Sequence, residues 1–426
     1  MATAEAGGSP PAPGSSGSPG SSGSPGSSGS PGSSGSPGSS GSPGSSGSPG
    51  SSGSPGSFEV LGLWPGVLTR LLGGGSLTAD EAEVVLGQVL SGEATPAQIA
   101  ALAVALRAKG ESVAEMTGFV RAMVAHAVPL DLPAGTDLID TCGTGGDRLR
   151  SINVSTIASL VVAASGAKVC KHGGRASSSA VGAADVLEAL GAVADLGPTG
   201  VARCVEEVGL GFCFAPRFHP AMRFAGPVRR ELGIPTVFNY LGPLANPGRA
   251  RFQVVGVSDP TMADKMLGVL AANGTRRAMV VHGDDGLDEL STTGPSTVHE
   301  LIRTPDGADA AGDGDVTVSV YRIDPSDFGI TRATLDELRG GDAAVNAEAI
   351  RRVVSGDRSP HRDIAILNAA AALTVIGKVD DLAEGVSEAA SLIDSGRAAE
   401  VLDAFVRVTR ESAEAEASTA AGSAGN

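Results

Sequence analysis

Residues 137–190, DLIDTCGTGGDRLRSINVSTIASLVVAASGAKVCKHGGRASSSAVGAADVLEAL, restrict the possible folds more than any other part of the chain. Leu138 with Ile139, and Val169 with Cys170, are apolar runs too brief for helices, whereas 157–164 is apolar over a helical length. The order is strand, glycine loop, helix, strand, second glycine loop, helix. In an open parallel sheet ligands bind at the carboxyl ends of the strands, so two loops there form one composite site.

The first loop runs from Cys142 to Asp147 and contains Gly143, Gly145 and Gly146, which let backbone amides turn towards an anion. Asn153, Ser155 and Thr156 then open a helix whose free amides favour phosphate. No Gly-Lys-Ser/Thr follows, so this is not a Walker loop, and Arg148 stands where a dinucleotide fingerprint needs a third glycine. Such glycines serve tight turns as readily as phosphate cradles. The second loop decides between them: Lys171, His172, Gly173, Gly174 and Arg175 set two cations and a histidine beside glycines, ahead of Ser177, Ser178 and Ser179 at an expected helix start. Cations, hydroxyls and free amides together suit several phosphate oxygens.

The runs CGTGGD, NVST, KHGGRASS and ADVLEALG, with the later FHPAMRFAGPVRRELGIPTVFNYLGPLANP and VVHGDDGLDELS, resemble the anthranilate phosphoribosyltransferases, in order and at family-like spacing over 68–409. The resemblance implies transfer of a phosphoribosyl group from phosphoribosyl pyrophosphate to the amine of anthranilate, a step of tryptophan synthesis. It also implies a partner for each loop. The donor would be met by Gly143, Gly146, Asp147, Ser151, Asn153, Ser155, Thr156, Lys171, His172, Gly173, Gly174, Arg175, Ala176, Ser177, Ser178, Ser179 and Ala183. Anthranilate would be met by Gly143, Gly174, His219 and Arg229, with Arg229 on its carboxylate. Ser155, Asp288 and Glu289 would hold Mg²⁺, and no covalent nucleophile is expected. Two positions depart from the family pattern: Gly174 replaces a usual asparagine at the acceptor, and Ala183 a usual serine at the donor.

A cluster of carboxylates follows the strand-like run that ends at Gly283. Asp284, Asp285, Asp288 and Glu289 follow Val280 to Gly283 in a short loop, and Mg²⁺ takes one or two carboxylates while sharing substrate oxygens. From the residues alone a solvated acidic turn is favoured in so acidic a chain; the resemblance, which matches Asp288 and Glu289 to a metal-binding pair, reverses that in favour of metal.

A net charge of −16 repels a phosphate backbone, and 3% aromatic residues provide no stacking platform, so nucleic-acid binding is not expected. Cys142, Cys170, Cys204 and Cys213 have no C-x-x-C spacing and lie in or beside apolar runs, as buried reduced thiols do. With neither a leader pattern at 1–10 nor an apolar run of membrane length, a cytoplasmic protein is expected.

At 426 residues more than one folding unit is needed. Residues 15–56 are seven tandem SSGSPG copies, read as a flexible tail spanning 1–57. Capping boxes Thr78/Glu81, Thr95/Gln98 and Ser112/Glu115 start helices over 79–90, 96–108 and 113–127, within a small helical domain at 58–130 that also packs on a second subunit. The resemblance adds helices near 217–235 to that domain and implies a homodimer. Strand-like 211–214, 252–257 and 278–281 alternate with helices near 199–208, 220–232, 261–272, 346–354 and 363–376. The expected class is α/β: a helical N-terminal domain plus a larger domain, 131–410, with a mostly parallel sheet flanked by helices, like nucleoside phosphorylases and phosphoribosyltransferases. Residues 306–315 read as an exposed turn between strands, and 411–426 as a disordered tail. Three alternatives remain: a phosphoribosyltransferase for another aromatic amine, a pyrimidine nucleoside phosphorylase, and a non-enzymatic nucleic-acid-binding homologue.

Overall fold

The computed structural model describes residues 62–146, 149–175, 181–304 and 314–424. The expected 1–57 tail and the turn at 306–313 lie outside them. Four helices come first: α1 (Leu63–Leu72), α2 (Ala79–Leu90), α3 (Pro96–Lys109) and α4 (Val113–Ala125). All three capping boxes form; at the first, Thr78 Oγ1 accepts from the Glu81 amide at 3.2 Å and Glu81 Oε2 from the Thr78 amide at 2.9 Å. Helices α2 and α4 pack so closely that a Cβ on Gly118 would stand 2.0 Å from the Ala79 carbonyl oxygen.

The α/β part follows as β1 (Leu138–Gly143), α5 (Val154–Ala164), β2 (Lys168–Gly173), α6 (Ala183–Ala189), α7 (Pro198–Val208) and β3 (Leu210–Phe214). A 3-10 turn (Pro220–Arg223) leads to α8 (Gly226–Leu232), then β4 (Phe252–Gly256), α9 (Ala263–Ala272), β5 (Arg277–Gly283), β6 (Ser296–Arg303) and β7 (Val316–Ile323). Helices α10 (Ala343–Val354), α11 (Pro360–Ile376), α12 (Leu382–Asp394) and α13 (Arg397–Ala424) complete it. The sheet order is β3-β2-β1-β4-β5-β6-β7, parallel through β5 and antiparallel beyond.

Alternation along the strands divides the core. Val254, Met279 and Val281 join one cluster with α5 and α11, while Val255, Ala278 and Val280 join another with α1 to α4 and α9. The chain reverses its direction of travel across the sheet between β1 and β4. In a doubly wound sheet that switch point, at the carboxyl ends, is where a crevice opens. Gly143 and Gly256 are register partners there.

Two expectations are corrected. The helix expected over 220–232 is broken into the 3-10 turn and α8, because Pro227 has no amide to continue the preceding turn. The segment after Arg410 is not a disordered tail: α13 continues to Ala424, with Ser412 buried. Its Glu416 carboxylate accepts from the amides of Gly197 at 3.1 Å and Gly200 at 3.3 Å, capping α7.

Candidate active site

At the switch point three loops converge. The Asp288 carboxylate accepts from the Gly145 amide at 2.7 Å, fastening the acidic loop after β5 to the glycine loop after β1. A Cβ on Gly143 would stand 2.2 Å from Asp288 Oδ2, and one on Gly256 only 1.6 Å from the Asp288 carbonyl oxygen. Both strands end in glycine so that this loop can lie against them. The acidic loop has its own scaffold: Asp285 Oδ1 accepts from the Leu287 amide at 3.0 Å, and its Oδ2 from Ser291 Oγ and Thr293 Oγ1, each at 2.5 Å. On the far side, Asn368 of α11 clamps the backbone of Leu290.

Lys171 is buried beneath this junction, where Nζ donates to the Thr141 carbonyl at 2.5 Å and to Ser155 Oγ at 3.1 Å. Burial lowers its pKa, and the Asp140 carboxylate opposes that most strongly. Asp140 is itself fully buried, held by the His172 amide at 3.1 Å and by Asn246 Nδ2 at 2.7 Å, and burial raises its pKa. Because side chains alternate, the His172 ring faces away from Lys171. Its Nδ1 lies 3.0 Å from the Gly242 carbonyl, so that nitrogen carries the proton in the neutral ring, and the buried Nε2 has no partner among the described residues. Burial and then His219, whose ring centroid is 5.1 Å away, lower the His172 pKa to about 3.

Two clefts meet at His172 and Gly174. The first, about 200 Å³, is lined by Gly143, Ser151, Asn153, Ser155, Thr156, Lys171, Gly173, Ala183, Asp288 and Glu289. The second, about 550 Å³, is lined by His219, Met222, Arg223, Pro227, Arg229, Arg230 and Phe238. Arg229 is half-buried, its Cζ 5.9 Å from the Phe238 ring centroid, with no carboxylate pairing with it among the described residues. Burial lowers its pKa.

Most of the residues singled out from sequence therefore converge, but several take other positions. Arg175 lines the second cleft and pairs with Asp185 at 2.9 Å and Glu188 at 2.7 Å. Gly143 lines only the first cleft, and Gly146 neither. Asn153 spends its side chain on the Val181 carbonyl and Asn346 rather than on capping α5. Asp147, Ala176, Ser177, Ser178 and Ser179 lie outside the described residues, and α6 begins only at Ala183. Sequence reasoning missed Arg150, which lines the first cleft with left-handed backbone (φ 57°), and the clamps Asn246 and Asn368. The isolated asparagines carried no local signal; the glycine ending VVG at Gly256 did.

A helical bundle packed on a parallel sheet, with glycine loops meeting acidic side chains at the switch point, defines a glycosyl transferase of two-part architecture. Residues 65–127 match the helical bundle domain of the glycosyl transferase family, and 135–399 its a/b domain. Residues 6–59 match the collagen triple helix repeat. The chain is 51% identical over 352 residues to an anthranilate phosphoribosyltransferase of Rhodococcus jostii (81% of this chain, 93% of that protein). It is also 51% identical to one of Salinispora arenicola (81% and 96%). The crystal structure of the Thermus thermophilus enzyme superposes with a TM-score of 0.73 at 40% identity, covering 81% of this chain and 99% of that one. The Saccharomyces cerevisiae enzyme in complex with PRPP and Mg gives 0.71 at 27% identity, covering 82% and 98%. The chain belongs to the anthranilate phosphoribosyltransferase family.

Proposed function

We propose that this chain transfers the phosphoribosyl group of phosphoribosyl pyrophosphate to the amine of anthranilate, giving N-(5-phosphoribosyl)anthranilate and pyrophosphate in tryptophan synthesis. The observation that carries the reading is the pairing of the two clefts. One is lined by glycine amides, hydroxyls, Lys171 and two carboxylates; the other presents a half-buried, unpaired Arg229 guanidinium. The donor's phosphates occupy the first, and the acceptor's carboxylate meets Arg229 in the second.

The anomeric carbon then lies between the clefts, near His172 and Gly174. Its bond to pyrophosphate breaks, the amine nitrogen forms a new bond to it, and the amine loses a proton. Holding both reactants in adjoining clefts supplies much of the acceleration. Lys171 and the loop amides favour the charge gathering on the leaving pyrophosphate. His172 stays neutral at physiological pH, so no extra cation opposes the positive charge developing on the ribose.

Asp288 and Glu289 line the donor cleft, and their oxygens suit a hard cation. Ser155 Oγ already accepts from Lys171, which leaves it one lone pair for a metal. No group of three or more His, Cys, Asp or Glu encloses a metal site among the described residues, as suits an ion that takes two carboxylates and completes its shell with donor oxygens. When bound, Mg²⁺ would neutralise charge on the leaving pyrophosphate.

We also infer a homodimer, because Leu63 and Leu72 of α1 and Val104 of α3 are exposed on two helices that pack together. A reducing, cytoplasmic setting is supported by Cys170 and Cys213, free thiols 3.4 Å apart. No helix among the described residues is long and apolar enough to cross a membrane. The test is turnover: purified protein with phosphoribosyl pyrophosphate and Mg²⁺ should consume anthranilate, read as loss of its fluorescence. Turnover of a different aromatic amine in its place would overturn the acceptor and leave the phosphoribosyl chemistry standing.

A further inference from the structure

At the amino ends of β4 and β5, opposite the catalytic loops, a cavity of about 330 Å³ opens between α4, α9 and the segment entering β4. Its charged lining is entirely arginine: Arg121, Arg249 and Arg251. Arg121 has only a long, exposed contact with Asp80 at 3.5 Å, which water and salt screen. Arg251 shares the single carboxylate of Asp137 with Arg276, at 3.1 and 3.4 Å. Arg249 pairs with no carboxylate among the described residues. Its backbone is left-handed (φ 54°), a strained setting for a non-glycine residue and one that clusters at functional sites. In a chain of net charge −16, Arg121 and Arg249, both exposed, and the half-buried Arg251 make a local excess of cations open to a solute anion. The opposite wall is apolar, formed by Val120, Val124 and Leu270.

The segment bordering this cavity also holds the rings of His172 and His219. The Gly242 carbonyl receives His172 Nδ1 at 3.0 Å, and the Ala245 carbonyl receives His219 Nε2 at 2.9 Å. Asn246, which lines the cavity, donates to Asp140 and to the Cys170 carbonyl, each at 2.7 Å. A ligand that moved Asn246 or Arg249 would pull on the same few residues that position His172.

We propose that this cavity binds a small organic anion, with an oxyanion head on the arginines and a short apolar body on the opposite wall, and that its occupancy is coupled to the acceptor cleft through 242–250. Guanidinium groups recognise carboxylate and phosphate heads alike, while the apolar wall selects for a body.

Hexanoate serves as the probe, titrated into the full chain by calorimetry beside inorganic phosphate. Arg249→Asn removes the charge with a residue that tolerates left-handed backbone, so folding is kept. Arg229→Ala controls for binding in the acceptor cleft. Saturable hexanoate binding, weakened about ten-fold or more by Arg249→Asn and unmoved by Arg229→Ala, is expected, and it should be tighter than the part of phosphate binding that Arg249→Asn removes, the remainder belonging to the donor cleft. No saturable binding, equal binding by the Arg249→Asn protein, loss only in the Arg229→Ala protein, or an Arg249-dependent part of phosphate binding as tight as hexanoate binding overturns the site. By linkage, hexanoate should also shift the apparent affinity for anthranilate in the wild type and not in Arg249→Asn. This second readout rests on anthranilate being the acceptor; an unshifted affinity beside intact hexanoate binding overturns the coupling and leaves the site.

Discussion

Asn368 of α11 accepts from the amide of Leu290 at 2.9 Å and donates to the carbonyl of the same residue at 2.9 Å. A third bond, to the Ile364 carbonyl at 2.9 Å, fixes the asparagine within its own helix. Leu290 directly follows Glu289, so a buried side chain 78 residues away sets where the acidic pair points. Asn368→Ala should cost about 1–3 kcal/mol of stability, because two backbone groups lose their partner in a dry setting. It should also weaken Mg²⁺ binding several-fold, measured by calorimetry with the metal alone. Metal affinity equal to wild type would show that Asn368 serves stability and nothing more.

Gly256 and Gly174 make contrasting predictions from one substitution. A Cβ at Gly256 would overlap the Asp288 carbonyl oxygen at 1.6 Å, a backbone atom that does not yield cheaply. Gly256→Ala should therefore cost about 3 kcal/mol or more and displace the acidic loop. At Gly174 the nearest atom among the described residues would be Ala215 Cβ at 3.9 Å, an ordinary contact. Gly174→Ala should leave the denaturation midpoint within error of wild type, and comparable losses for both variants would contradict the geometry.

Glu416 reaches from α13 to the first turn of α7, far away in sequence. Glu416→Ala should lower stability by about 1–2 kcal/mol, as loss of a helix cap does. Chemical denaturation of the two proteins decides it, and identical midpoints would refute the cap.

That contact also shows where sequence reading stops. The capping boxes at Thr78, Thr95 and Ser112, the β1 and β2 loops and the pair Asp288 and Glu289 were legible because each signal lies within a few residues. The segment after Arg410 is rich in alanine, serine and glutamate, a composition that fits a solvated tail as well as a helix. Its order comes from packing on α7, where Gly200 lies against Ser412 and Glu416, which no local pattern announces. Arg175 was read as a phosphate ligand from its place in KHGGR, but its acidic partners Asp185 and Glu188 stand 10 and 13 residues further on, on α6. One local signal went unread: glycine recurs at every third position from Gly14 to Gly56, the period behind the collagen-repeat match.

The His172 ring predicts a pH dependence. Its pKa falls from 6.5 to about 3 in the folded protein, because of burial and then His219. Between those values the unfolded chain binds a proton that the folded chain refuses. Stability present above pH 6.5 is therefore lost as pH falls through that window, at up to about 1.4 kcal/mol per pH unit from this group. His172→Gln should flatten the stability–pH curve there relative to wild type, and parallel curves from pH-dependent denaturation would exclude the effect.

The acceptor cleft yields the last prediction. Arg229→Ala removes a charge-assisted pair with anthranilate's carboxylate, about 1.5–3 kcal/mol, and should raise the anthranilate KM by about ten-fold to more than a hundred-fold. The donor KM should barely move, because Arg229 lines only the second cleft. Gly174→Asn should act in the opposite direction. Gly174 borders both clefts, its φ is not in the left-handed region, and the space beside it admits a side chain. An amide there adds one hydrogen bond to the acceptor, about 0.5–1.5 kcal/mol, or a few-fold to about ten-fold in affinity. Varying each substrate separately distinguishes the two effects. If Arg229→Ala spares the anthranilate KM while Gly174→Asn abolishes turnover, the natural acceptor is another aromatic amine. The donor cleft would then keep its role, since neither substitution touches Lys171, Asp288 or Glu289.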